Sequence, residues 1–166
     1  MANESYINKG TSVLFNGEAG AGVAWSMEGV ANAAGRVSDQ KDWGAAPRPN
    51  RYAWSCEAQW QATPTQGGIL ELYIACAPDG DSTQIDGDIG ATDAALADVD
   101  MRRNLRYIGC VVSENAAASE KCVASGIFTS DKRYMSMVGY NAGGASLNAT
   151  DTVFRFDIQP VYDQGQ

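Results

Sequence analysis

Apolar and polar residues alternate with a period of two along much of the chain, in short runs broken by glycine, proline and asparagine. That rhythm predicts antiparallel β-strands joined by tight turns. Over residues 51–61 one parity carries Tyr52, Trp54, Cys56, Ala58 and Trp60, and the other carries Ala53, Ser55, Glu57 and Gln59. A break at Pro64 and Gly67-Gly68 follows. Residues 69–77 then place Leu70, Leu72, Ile74 and Cys76 on one face, with Glu71 and Tyr73 on the other. These two runs are expected to form the clearest strand pair of the fold.

Weaker runs extend the pattern. Residues 11–15 and 22–27 flank a glycine-rich stretch, Gly17-Glu-Ala-Gly-Ala-Gly22, expected to be a hairpin turn. Residues 105–113 and 121–128 flank a small polar connection, residues 133–141 follow an Asp131-Lys132 turn, and residues 152–162 close the chain. In that last run Phe154, Phe156 and Ile158 alternate with Arg155 and Asp157. Helical periodicity is almost absent; residues 93–104 have the propensity for a turn or two. About eight short strands with long loops predict a single-domain, all-β antiparallel sandwich. A polar N-terminal arm, residues 1–10, precedes the domain, residues 11–166. Its apolar side chains beyond Ala2, Tyr6 and Ile7, make it a candidate to order against a neighbouring subunit.

Two stretches do not read as strands. Residues 31–50 are rich in Gly, Pro and Ala and hold Trp43, whose position no strand parity explains. Tryptophan is enriched among residues that anchor protein interfaces, so Trp43 is a candidate contact. Residues 79–100 contain seven of the 20 acidic residues and no Lys or Arg, so they carry −7 of the net charge of −8. Loops this long inside a small domain usually serve a function.

That charge distribution sets limits. Outside residues 79–100 the chain is near neutral, which argues against nucleic acid, whose phosphates need a basic surface. It argues equally against anionic membranes. The start of the chain has no basic-then-apolar secretory pattern, and there is no 18-residue apolar run. Folding in a cytoplasm, with reduced thiols, is therefore expected. The four cysteines, Cys56, Cys76, Cys110 and Cys122, have no CxxC spacing and read as small core residues.

Candidate chemistry is sparse. With no histidine in the chain, Ser-His-Asp and Cys-His catalysis and the usual catalytic zinc sites are excluded. The glycine-rich stretch lacks the Lys-Ser/Thr of a phosphate-binding loop. Twenty carboxylates will always include some pair at a hydrolase-like distance, so pairing carries no specificity. Asp79, Asp81, Asp86 and Asp88 resemble clustered oxygen ligands for Ca²⁺, although their order departs from the EF-hand loop. A solvated acidic loop with no cofactor is the simpler expectation. Arg102, Arg103 and Arg106 follow directly and are placed to neutralise part of that charge, in this subunit or a neighbour. No catalytic or cofactor-binding residue is expected, and no enzymatic activity.

Several short segments together carry a resemblance. They are Gly29-Val-Ala-Asn-Ala-Ala-Gly-Arg-Val-Ser38, Tyr52-Ala-Trp-Ser55, Ala62-Thr-Pro-Thr-Gln-Gly-Gly68 and Glu71-Leu-Tyr-Ile74. Further along come Asp86-Gly-Asp-Ile-Gly-Ala-Thr-Asp-Ala-Ala95, Arg103-Asn-Leu-Arg-Tyr-Ile-Gly109, Arg133-Tyr134, Tyr140-Asn-Ala-Gly-Gly144 and Ile158-Gln-Pro-Val-Tyr-Asp163. In these the chain resembles jelly-roll virion structural proteins of tailed bacteriophages, over most of its length from about residue 20. The four cysteines and Trp43 fall outside the pattern. The resemblance implies a jelly roll that decorates and cements the capsid. The expected partners are the major capsid protein and further copies of the chain, as a homotrimer at three-fold positions on the virion surface. A neck, tail or fibre-attachment role is the nearest alternative. A carbohydrate-binding module for host adsorption, with Trp43 as its platform, is the alternative from another class.

Overall fold

The computed structural model describes residues 6–17, 22–45, 48–80, 84–114, 117–150 and 153–164. Twelve strands are defined among them: β1 (Tyr6–Lys9), β2 (Val13–Asn16), β3 (Val23–Ala24), β4 (Ala34–Val37), β5 (Lys41–Asp42) and β6 (Arg51–Ala58), then β7 (Ile69–Ala77), β8 (Ala94–Ala95), β9 (Arg106–Val112), β10 (Cys122–Thr129), β11 (Tyr134–Ala142) and β12 (Arg155–Gln164). One sheet runs β10-β6-β12-β2-β3, with β1 on β12; the other runs β8-β4-β11-β7-β9, with β5 on β11. Without the short strands, the orders β10-β6-β12-β2 and β4-β11-β7-β9 are those of a jelly roll, each sheet drawing alternately on both halves of the chain.

The alternation in β6 is realised: Tyr52, Trp54, Cys56 and Ala58 are buried. Its expected partner is not. β6 pairs with β10 and β12, whereas β7 pairs with β11 and β9 in the opposite sheet. Both runs have one strongly apolar face, and the sandwich buries both by facing them across the core rather than aligning them edge to edge. Trp60 turns the chain between the sheets, bridging to Leu147.

The core is aromatic on the first sheet's side. Trp25 meets Phe15, Phe154 and Phe156 edge-on at 6.4, 5.2 and 5.3 Å, and Trp54 stacks on Phe156 at 5.9 Å. From β7 and β11 come Leu70, Leu72, Ile74, Met135 and Met137. Cys56 and Cys122 are buried, Cys76 and Cys110 half-buried, and all four thiols are free.

Three further expectations are corrected. The strands flanking the glycine-rich stretch do not form a hairpin, because β2 and β3 lie parallel, Phe15 opposite Val23. Residues 31–50 contain β4 and β5, both on β11. These strands are too short for period-two alternation to reveal them. Of the helical candidate, Ala94–Ala95 is strand β8 on β4, and only Val99–Asn104 winds into a 3-10 turn, capped by the Asp98 carboxylate on the Asp100 N–H at 2.8 Å. Part of the N-terminal arm is already a strand of its own chain: Tyr6 lies opposite Gln164 and Lys9 opposite Val161. Residues 1–5 lie outside the described residues.

Candidate interaction surface

The two outer faces of the sandwich are treated differently. On the β4-β11-β7-β9 sheet, the acidic segment folds back as a cover. Leu96 lies on Val37 and Val138, with Met101, Leu105 and Ile89 beside them, and Ile85 lies on Ala75 and Ala77. This is why β11 is buried along most of its length, on both faces. The acidic residues that suggested a solvated loop are interspersed with apolar ones too irregularly spaced for a period-two pattern.

Asp93 pins the cover down. Its carboxylate accepts from the Ser26 hydroxyl at 2.5 Å, the Ser26 N–H at 3.1 Å and Arg36 Nε at 2.6 Å, while its own N–H donates to Asp39 at 2.7 Å. Partial burial pushes this carboxyl upward, but Arg36 and Ser26 outweigh burial and hold it below the usual carboxylate range. Asp93→Ala is expected to lower stability by about 2 kcal/mol, since bonds to charged groups are worth about 1.5–3 kcal/mol each and the freed partners regain water. Limited proteolysis checks this: new cleavage should concentrate between residues 84 and 105.

The other acids are separately engaged. Asp86 accepts the Cys76 N–H at 3.0 Å, and Asp86 and Asp88 flank a tight turn. Asp81 lies outside the described residues. No cluster of three potential metal ligands occurs among the described residues. Arg102 is not free to meet a neighbour: its Nε lies 3.3 Å from Glu71, its guanidinium stacks 3.8 Å above the Tyr140 ring, and it donates to the Val99 carbonyl. Arg103 pairs with Asp100 at 3.3 Å while both stay exposed, an arrangement of small energetic weight that leaves Arg103 available.

Trp43 is not an exposed anchor. It packs edge-on to Tyr52 at 5.0 Å and against the main core. Burial, the largest influence, pushes Tyr52 up to about 12. Next to Trp43, Asp42 receives two bonds from Arg133, at 2.8 and 2.7 Å, and one from the Gly44 N–H. Arg133 chiefly, then Gly44, lowers Asp42 from 3.8 to about 2. A lowered carboxyl stabilises the fold above its unfolded value and loses that contribution as pH falls through the folded one. Carboxyl NMR should therefore find Asp42 ionised at pH ~3, and Arg133→Gln should return its midpoint toward the ordinary range. The side chains of Tyr6 and Ile7 lie outside the described residues.

The outer face of the β10-β6-β12-β2 sheet has no cover among the described residues. Its middle is made of small or polar groups, Ser12, Ala53, Ser55, Asp157 and Gln159, around a shallow depression of about 470 Å³ that Arg155 also lines. Two ion pairs lie on it, Arg155 to Asp157 at 2.7 Å and Lys121 to Glu57 at 2.5 Å, and Arg51 and Lys9 share its end in register with Thr129. Its β10 edge is apolar, as is the neighbouring β9. Val123 is 67% and Ile127 63% exposed on β10, and Tyr107 and Val112 are about half exposed on β9.

The inward parity of β10 is the one without a polar side chain: Cys122, Ala124, Gly126 and Phe128 face the core, and Val123 and Ile127 share the outward parity with Ser125 and Thr129. Trp54 constrains the strand further. A Cβ on Gly126 would lie 2.8 Å from its Nε1, and one on Gly109 would lie 2.5 Å from its ring. The indole fills the space between β9 and β10, so the glycine parity must face inward.

Burial raises the Cys56 and Cys76 thiols, the wrong direction for a reactive thiolate. Among the described residues no helix is long and apolar enough to cross a membrane.

No family model matches the chain, and no curated protein does. The chain is similar to solved structures of murine APRIL. The crystal structure at pH 8.0 shares 8% identity at a TM-score of 0.40, covering 95% of this chain and 99% of that one. The one at pH 8.5 gives 7% and 0.37 over the same shares, and the one at pH 5.0 gives 8% and 0.38 over 78% and 98%. Likeness at this level carries no functional information.

Proposed function

We propose that the chain is a non-enzymatic structural subunit of a virus particle, a decoration (cement) protein on the capsid of a tailed phage. One observation carries this reading beyond the resemblance of its motifs. The acidic segment covers one face of the jelly roll, while the opposite face has no cover among the described residues and carries small and polar side chains with two ion pairs. A broad face of small side chains suits contact with a protein shell, and the paired charges on it need no counter-charge from the partner. The partner in this reading is the major capsid protein, with the acidic cover turned toward solvent.

Decoration needs no strong single site, because contacts repeated over a lattice accumulate avidity. Homotrimers at three-fold positions, as the resemblance implies, belong to the same proposal. The carbohydrate-binding alternative is weaker, since Trp43 is half-buried, packed on Tyr52 and the core instead of standing out as a platform.

The test is co-sedimentation of purified protein with separated phage heads and tails. Saturable binding to heads is expected, and Ser55→Arg, on the open face, should abolish it while leaving the thermal melt unchanged. Binding to tails alone, or head binding indifferent to Ser55→Arg, contradicts the proposal.

A further inference from the structure

The four lateral edges of the two sheets are not equally protected. β3 and β8, at one end of each sheet, are two residues long. β9 is broken by a bulge between its Tyr107 and Gly109 pairings and carries Arg106. Short strands, bulges and charges are the usual means of stopping a sheet edge from pairing further. β10 has none of them. Its eight residues, Cys-Val-Ala-Ser-Gly-Ile-Phe-Thr, include no charge and no proline, and they pair with β6 in unbroken register.

Which main-chain groups of β10 are free follows from the register. Ser130 N–H bonds to the Asn50 carbonyl at 3.0 Å, just beyond the Thr129–Arg51 pair. Even-numbered residues therefore bond to β6, and the N–H and C=O groups of Val123, Ser125 and Ile127 point outward. Arg106, from β9, donates to the Thr129 carbonyl, and β9 lies close beside β10 without pairing with it. Among the described residues, no other strand pairs with this edge. The two most exposed large apolar side chains of the described residues, Val123 and Ile127, stand on the same strand.

We infer that β10 is a pairing edge for β10 of a second copy of this chain, antiparallel across a two-fold axis at Ser125. Self-complementarity selects that partner. With Ser125 opposite Ser125 of the second copy, Val123 falls opposite Ile127 and Ile127 opposite Val123. The exposed apolar residues thus cover one another twice, and all three outward-facing residues fall in hydrogen-bonded pairs. No charged residue of β10 meets a like charge, because β10 carries none. The contact is isologous and joins the open faces of two sandwiches into one continuous sheet surface. It builds no three-fold assembly of its own; it joins two subunits, or two trimers, edge to edge. It stands independently of the proposed capsid role.

Ser125→Cys tests the geometry. Residues in a hydrogen-bonded antiparallel pair have Cα atoms ~5.5 Å apart, within disulfide range. Mild oxidation should give a dimer linked 125 to 125, located by peptide mass spectrometry. Val123→Cys, which does not face itself, should link at least about tenfold less. In light scattering, Ile127→Lys should weaken self-association at least about tenfold with the thermal melt unchanged. Wild-type protein that stays monomeric, or Ser125→Cys that links no better than Val123→Cys, overturns the inference. Should Ile127→Lys fail to fold, the cysteine comparison decides alone. Because these measurements need no phage particle, their failure leaves the head-binding result untouched.

Discussion

Asn141→Leu is expected to destabilise the protein by about 4 kcal/mol. Asn141 is fully buried near the end of β11, and its amide is saturated. The oxygen accepts from Trp60 Nε1 at 3.1 Å and the Gly143 N–H at 3.0 Å. The nitrogen donates to the Val30 and Ala145 carbonyls at 2.9 and 2.8 Å. One side chain thus ties together the turn after β11, the entry to β4 and the crossing between β6 and β7. Leucine keeps the branched outline but leaves Trp60 Nε1 and the Gly143 N–H buried without a partner and removes a donor from the half-buried Val30 and Ala145 carbonyls, of which Val30 keeps its bond from Leu147; each buried unpaired group costs about 1–3 kcal/mol. Gly143 packs directly on the Trp60 indole, where a Cβ would lie 2.1 Å from Nε1. Chemical denaturation of the variant against wild type measures the loss. A cost under about 1 kcal/mol would mean that the crossing is held by packing alone.

Phe156→Ala should cost a similar amount, about 4 kcal/mol, by a different mechanism. Phe156 sits in β12, between β6 and β2, and its ring touches Phe15, Trp25 and Trp54 at 6.0, 5.3 and 5.9 Å. Three large rings cannot all collapse into the space it leaves, so the cavity persists and its lining loses contacts. Thermal melting should fall steeply, and near-ultraviolet circular dichroism should lose the signal of the packed tryptophans. The contrast with Asp93→Ala is informative: that change loosens the cover and leaves the aromatic core intact.

Much of the fold was legible because its long strands are single-faced. β6 and β12 alternate cleanly, and burial follows parity along β6 and from Phe154 to Ile158. Their partners were not legible, since period two fixes which face is buried but not which strand lies alongside. Hence β6 and β7 read as neighbours although they face each other across the core. Strands of two residues, β3, β5 and β8, are too short to leave a pattern.

The candidate surface was harder still. Trp43 and Arg102 stood out as residue types common at interfaces, yet their own chain occupies them, through Tyr52 and through Glu71 and Tyr140. The acidic segment looked like an outlying loop because its charges are dense and its apolar residues irregularly spaced. Ile85, Ile89, Leu96, Met101 and Leu105 follow a cover's contour, not a helix or strand period. Several segments that carry the phage resemblance nonetheless fall on the joints of the fold: Arg36 and Asp93 at the latch, Asn141 and Gly143 at the crossing, Gly109 against Trp54. The motifs preserve architecture rather than chemistry, as expected of a subunit whose proposed work is contact.

Quantitative mass spectrometry of purified phage particles tests the decoration proposal most directly, by counting this chain against the major capsid protein. The account predicts on the order of hundreds of copies per particle, as repeated lattice contact requires. About a dozen copies or fewer, or none in the particle, would contradict it.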